Sequence, residues 1–222
     1  MFASSSQGDA LREAYRLMRT GAFYQVISWL LLGIGLTAIV FAGGLKLAAD
    51  VASGRLHFFS LMATLVALAL VVLIAGLISL VGLLNDLVPG VKKLRYVSPA
   101  EFSTAATLTR TGFVWGVILM VVGALTLVIL VGYLLVFIAY ILLVIGLIGV
   151  ALVSFKLGEK DREALFTVAG ILFILSIIAP IFGFIAWLLF YVALGRGPRF
   201  EPGPRQPTTA PPLVPPTPPS PV

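Results

Sequence analysis

No cysteine occurs in the sequence, which excludes disulfides, thiolate metal sites, iron–sulfur clusters and thiol catalysis together. Histidine is limited to His57, so one chain cannot assemble a multi-histidine metal centre, and no cofactor or metal site is expected. Charge is equally scarce: 11% of residues are charged, against roughly a quarter in soluble domains. Amide side chains are confined to Asn85, Gln7, Gln25 and Gln206, a depletion of heat-labile residues of the kind met in hyperthermophiles.

What fills the chain instead is apolar: 60% of its 222 residues are hydrophobic. A membrane-spanning helix needs about 20 such residues to cross about 30 Å of hydrocarbon. The run from Ala22 to Leu45 meets this, as does Phe58 to Leu84, and Lys46 to His57 between them belongs in water or headgroups. The first run is too long for the core of a cleaved leader, so the N-terminus is expected to stay on the mature protein. Gly112 to Phe155 holds no charge over 44 residues; a single helix of that length would measure about 65 Å, so the run has to fold back. Gly132, between Val131 and Tyr133, is the expected turn, giving spans 112–130 and 134–155. In the last run, Ala164 to Leu194, Pro180 lies at the centre and either kinks one helix or starts a second.

Charge counting bears on that choice. A five-span path with the N-terminus inside divides the fifteen cationic residues ten to five, whereas six embedded segments divide them thirteen to two, leaving only Lys46 and Arg55 opposite. The positive-inside tendency therefore favours six, the last two being 164–179 and 180–194. The fold class expected is an all-α integral membrane protein of the cell membrane. Five to six membrane segments form a bundle of hairpins over residues 22–194, preceded by a short amphipathic helix over 1–21, and the N-terminus is cytoplasmic. After Leu194, residues 195–222 carry a proline-rich stretch ending "PPLVPPTPPSPV". It reads as a disordered or polyproline-II tail, whose P-x-x-P spacings are also those of docking peptides.

The net charge of +6 sits in segments flanking apolar runs, where it orients the chain and meets lipid headgroups rather than nucleic acid. Arg12, Arg16, Arg19, Lys92, Lys93, Arg95 and Arg110 are the expected membrane-interface anchors. Two of them open the same phrase: "RTGAF" begins at Arg19 and "RTGF" at Arg110, each directly before an apolar run. Upstream, Ser6 with Asp9 and Ser98 with Glu101 fit the S-x-x-[D/E] helix start. Leu11, Tyr15, Met18 and Ala22 share one helical face and the three early arginines another, as a helix lying in the membrane surface requires. The expected reading is an internal repeat of parallel hairpins. In each copy arginine reaches the headgroups, glycine bends the surface helix into the span and phenylalanine opens the apolar segment. "DREALF", from Asp161, is a degenerate third candidate.

With "LREAYRLMRTGAF", the glycine-punctuated aliphatic spans and "IAPIFGFIAWLLFYVALG" before a proline-rich tail, the chain resembles the archaeal multi-spanning membrane proteins catalogued as domain of unknown function 973. The resemblance covers residues 10 to 196. It implies an archaeal membrane location and no transferable catalytic residue.

Within the apolar runs no Asp, Glu, Lys, Arg or His side chain occurs, although intramembrane enzymes and pumps depend on such groups. No catalytic residue is expected, and the chain is read as a non-enzyme. "GEKDRE", from Gly158, has the acids of a cation site but the alternating signs of a solvated helix start. Gln25, Ser28, Thr37, Thr64, Ser79, Thr126, Tyr140 and Ser176 either line a polar path or bond carbonyls and neighbouring helices. Gly112 and Gly116 form G-x-x-x-G, and Ala38/Ala42, Ala63/Ala67 and Ala179/Gly183 share its spacing, marking candidate helix-packing faces. The expected function is a non-catalytic scaffold, envelope component or accessory subunit whose partners are membrane lipids, other membrane proteins or a second copy. The alternative is a small channel or transporter for an uncharged or weakly polar solute.

Overall fold

The computed structural model describes residues 2–52, 58–126 and 130–199, and contains helices and no strand among them. His57, Arg55 and the proline-rich tail, including Arg205, lie outside the described residues. The helices are α1 (Phe2–Ala52), α2 (Phe58–Val81), α3 (Val88–Val97), α4 (Pro99–Leu125), α5 (Leu130–Asp161), α6 (Ala164–Leu175) and α7 (Ile181–Gly195), with a π-helical segment, Gly82–Leu87, between α2 and α3. Four of the helical stretches, Gln7–Lys46, Met62–Val97, Pro99–Leu125 and Val131–Asp161, are long and apolar enough to cross a membrane.

Residues 1–21 do not form a separate surface helix: α1 runs unbroken from Phe2 through the first apolar run. Ser6 therefore sits inside a helix and is not its N-cap. The face carrying Leu11, Tyr15, Met18 and Ala22 is buried in the protein, packed with residues of α3, α6 and α7 rather than laid on lipid. α4 likewise carries Arg110 and Gly112 in its interior. The fold-back in the long uncharged run falls earlier than Gly132. α4 ends at Leu125, with Thr126 as its C-cap, and Gly132 is already a buried residue inside α5.

Proline marks two of the remaining irregularities. Pro89 has no N–H, and its ring conflicts with the carbonyl four residues back, that of Asn85. The backbone widens just upstream, where Val88 N–H donates to the Leu83 carbonyl, five residues back. Pro180 leaves the Ser176 carbonyl without its usual donor, and the chain tightens there through Ile177 to Ile174 (3.2 Å) and Ile178 to Leu175 (3.0 Å) bonds before Pro180 caps α7. The last apolar run is thus two helices. At 12 and 15 residues they measure about 18 and 22 Å.

The helices share a packed base at one end of the molecule. Met18 and Ala22 of α1, Leu87 of the π segment, Leu94 of α3, Phe102 of α4, Val153 and Leu157 of α5, Phe166 and Phe173 of α6 and Phe190 of α7 all belong to one buried cluster. Its aromatic column is edge-to-face: Tyr15 meets Phe166 (6.4 Å), Phe166 meets Phe190 (5.9 Å), Phe190 meets Phe173 (5.9 Å) and Phe173 meets Trp187 (4.7 Å). Among the described residues, two hairpins continue beyond the base, α1 with α2 and α4 with α5. Ile34, Val40, Phe41, Val66, Leu73, Leu125 and Phe137 stand exposed along them, the surface a bilayer would cover.

Within the α4–α5 hairpin the backbones nearly touch. A Cβ on Gly112 would lie 2.2 Å from the Gly146 nitrogen, and one on Gly116 3.0 Å from Leu143. In the α1–α2 hairpin Gly35 and Gly43 approach Val71 and Thr64, while Ala38, Ala42 and Ala63 are exposed. Ala38, Ala42 and Ala63 are therefore off the contact face, whereas the half-buried Ala67 lies between Thr64 and Val71 on α2. Gly112→Leu is expected to destabilise the detergent-solubilised protein by at least about 2 kcal/mol through overpacking. Gly8→Ala, in α1 with nothing within 4 Å, should instead stabilise by up to about 1 kcal/mol through helix propensity. Thermal unfolding of both variants checks the opposite signs.

Candidate functional site at the cationic base

All seven expected anchors lie in the base half of the molecule, but they do different things. Arg12 and Arg16 are exposed on α1. Arg19 sits over the Tyr191 ring at 5.0 Å and its Nη2 reaches the Tyr191 hydroxyl at 3.4 Å. Lys93 of α3 pairs with Glu13 of α1. Lys92, Arg95 and Arg110 have no carboxylate partner among the described residues, and all three line one groove between α3 and α4 with a volume of about 480 Å³.

The groove follows from helix periodicity. Lys92, Arg95 and Tyr96 stand at i, i+3 and i+4 on α3, while Thr107, Arg110, Thr111 and Val114 form the matching stripe on α4. The turn at Ser98, whose N–H bonds the Leu94 carbonyl at 2.9 Å, folds the two stripes towards each other. Ala106 lines the groove too, and Trp115 continues its α4 side towards the apolar half of that helix.

On the other side of the base an acidic cluster is fully engaged. Tyr15 Oη donates to Asp161 Oδ2 at 2.5 Å, and the Arg199 backbone N–H donates to Asp161 Oδ1 at 2.8 Å. Glu163 accepts from Arg196 at 2.5 Å and Arg199 at 2.9 Å. Lys160 pairs with Glu101 and donates to Ser98 Oγ at 3.3 Å. These contacts tie α1, α4 and the α5–α6 turn to the end of α7, so the α6–α7 hairpin starts and finishes at the base. Arg162, between the two acids, has φ +51°, the left-handed conformation that turns the chain sharply enough to aim Asp161 and Glu163 at different partners. Among the described residues no group of three acids or histidines is placed to hold a metal; of the acids of "GEKDRE", Asp161 and Glu163 act as clamps while Glu159 pairs with Lys156 on α5 itself.

Several polar residues of the apolar helices are also engaged, whereas Tyr140 stands exposed on α5. Gln25 Nε2 donates to the Ser79 carbonyl at 2.8 Å while Ser79 Oγ donates to Gln25 Oε1 at 2.7 Å, and Ser28 Oγ donates to the Ala75 carbonyl at 2.8 Å. Thr37, Thr126 and Ser176 bond carbonyls of their own helices. No buried side-chain nitrogen or oxygen among the described residues lacks a partner. Sequence reasoning missed the Tyr15–Asp161 clamp and the groove. Its only available signals were a tyrosine on the apolar face of α1 and the i, i+3, i+4 spacing of Lys92, Arg95 and Tyr96.

Tyr15 ionises well above the ordinary tyrosine range, first because it is buried and then because Asp161 accepts its hydrogen bond and repels a phenolate. The unfolded chain sheds this proton near pH 10 while the folded one keeps it, so the stabilisation is intact below about pH 10 and declines above it. Tyr15→Phe should lower stability by about 1–3 kcal/mol at pH 7, since it leaves a buried carboxylate short of a donor. Glu163→Gln should cost less, because its arginine partners are about half exposed and solvent screens such pairs. Melting curves at pH 7 and pH 11 check both expectations, with the smaller alkaline loss in Tyr15→Phe.

A family model described as protein of unknown function (DUF973) matches residues 13–221 of the chain. No curated protein and no solved structure matches it. With a match that extends from the first turns of α1 past the end of α7, the chain belongs to that family.

Proposed function

We propose that the chain is a non-catalytic, multi-pass component of the cell membrane, acting as a scaffold, envelope component or accessory subunit, with its cationic base on the cytosolic face. The observation that carries this reading is the chemistry of the apolar helices: they hold no Asp, Glu, Lys, Arg or His between His57 and Asp86 or between Arg110 and Lys156, and Gln25, Ser28 and Ser79, the polar side chains between α1 and α2, are occupied by helix–helix and helix–carbonyl bonds. A solute path would need such groups free to replace water. Four helices cross the bilayer in this reading. The α6–α7 hairpin is too short for about 30 Å of hydrocarbon, so it enters from the base and returns to it, which brings Arg196 and Arg199 back beside Glu163. Both termini then face the cytosol, as the excess of Lys and Arg at the base supports.

Two measurements test this. Purification from native membranes in mild detergent should recover a stoichiometric complex with another membrane protein; saturable solute flux in proteoliposomes holding this chain alone would overturn the reading. A reporter fused after Gly203 should be accessible only from the cytosol, and external exposure there would overturn the returning hairpin.

A further inference from the structure

We propose that the groove between α3 and α4 is a binding site for a phosphate group, of the kind carried by an anionic phospholipid headgroup. The proposal rests on the reading above that the base lies at the membrane surface.

Three cations, Lys92, Arg95 and Arg110, line one groove of about 480 Å³, and no carboxylate lines it with them. Elsewhere in the base Lys93, Lys160, Arg196 and Arg199 are each paired with an acid. The groove therefore concentrates positive charge that no carboxylate compensates, the Lys92 ammonium standing 6.0 Å over the Tyr96 ring within it. Phosphate oxygens suit it because guanidinium groups bind them in pairs through charge-assisted hydrogen bonds; Thr107 lines the same groove, its hydroxyl donating to the Ser103 carbonyl at 2.8 Å.

A comparison within the chain sharpens the point. Arg19 and Arg110 open the two Arg-Thr-Gly triplets, and in both the glycine is buried against a neighbouring helix. Arg19 is covered by Tyr191 of α7. Among the described residues no aromatic ring covers Arg110, and the arginine lines the groove instead. An aromatic ring thus occupies one arginine, while the other is left for a ligand.

The groove is also amphipathic along its length. The cations and Tyr96 lie towards the α3–α4 turn, whereas Val114 and Trp115 lead towards Ile118, Val121 and Val122, which are exposed apolar side chains on α4. A ligand with a phosphate head and acyl chains matches this gradient, and a tryptophan with a tyrosine at the boundary is the usual interfacial pair. A free phosphate would use the cations and leave the Trp115 end unfilled.

The test uses the full chain purified in mild detergent and incubated with phosphatidylglycerol or, separately, phosphatidylcholine; retained lipid is read by native mass spectrometry. The wild type should retain phosphatidylglycerol. Joint replacement by Lys92→Gln, Arg95→Gln and Arg110→Gln should reduce retention at least about tenfold, while Arg12→Gln with Arg16→Gln, which removes exposed charge outside the groove, should change it less than about twofold. Thr107→Trp keeps every cation but fills the groove, so it should also abolish retention, which a diffuse attraction to basic residues would not. Melting temperatures of all variants should match the wild type, because the three groove cations make no ion pair that folding needs. Equal loss in the groove and control variants, or retention by Thr107→Trp, would overturn the site while leaving membrane embedding and the scaffold reading intact. Displacement of phosphatidylglycerol by millimolar inorganic phosphate, without loss of the groove-variant effect, would keep the phosphate site and assign it to a soluble phosphate.

Discussion

Close approach of helix backbones is the constraint on which this molecule depends. Lipid offers apolar helices no hydrophobic gain for meeting one another, so association relies on dispersion contacts and hydrogen bonds that act only at short range. Gly112 against Gly146, and Gly149 against Thr109, remove the side chains that would hold α4 and α5 apart. Gly35 and Gly43 do the same between α1 and α2, which permits Ser28 to reach the Ala75 carbonyl and Gln25 to exchange bonds with Ser79. Those bonds are a consequence of the approach, since polar side chains this short cannot bridge helices at the spacing that leucines impose.

The same constraint explains why the molecule has a dense base and two divergent hairpins. α3, α6 and α7 are short and lie only at the base, so the helices that continue beyond it have one close neighbour each. At the base large aromatic residues fill the space between several helices, and Phe102, Phe166, Phe173 and Phe190 are fully buried. Ion pairs and hydrogen bonds then close the water-facing end, linking segments far apart in sequence, as the Tyr15 hydroxyl with Asp161 does across 146 positions. A bilayer around the hairpins and water around the clamps are the two solvents that this distribution of residues fits.

Sequence alone made the membrane class and the apolar helices readable, because uncharged runs of that length have few alternatives to helices in lipid. It misplaced the turn at Gly132 and the bend at Gly21 for one reason. Glycine is a helix breaker in water, yet in close-packed membrane helices it is a contact residue, and a single sequence does not say which solvent a given position meets. Pro180 was more informative, since a missing N–H and a fixed ring act identically in either solvent. The spacing of Leu11, Tyr15, Met18 and Ala22 marks a face of α1, which packs on protein rather than on lipid. Periodicity reports that one side differs from the other and is silent on what lies against it. The groove was beyond reach for a related reason: Lys92, Arg95 and Arg110 converge only because the chain reverses at Ser98, and the side-chain stripes of two helices are aligned by that turn.

The two Arg-Thr-Gly triplets show how identical local chemistry acquires different roles. In both, the helix passes through the glycine without a break, and the glycine admits a neighbouring backbone: that of Gly82 and Leu87 for Gly21, that of Gly146 for Gly112. Arginine, two positions earlier on the helix, is turned away from that contact by the 100° step per residue, so it always projects beside the crossing and never into it. What it meets there is decided by the rest of the chain. For Arg19 the returning α7 supplies Tyr191; for Arg110 the chain supplies two further cations and a groove. Function in such a protein is then set less by the repeated phrase than by which helix end happens to stand beside it.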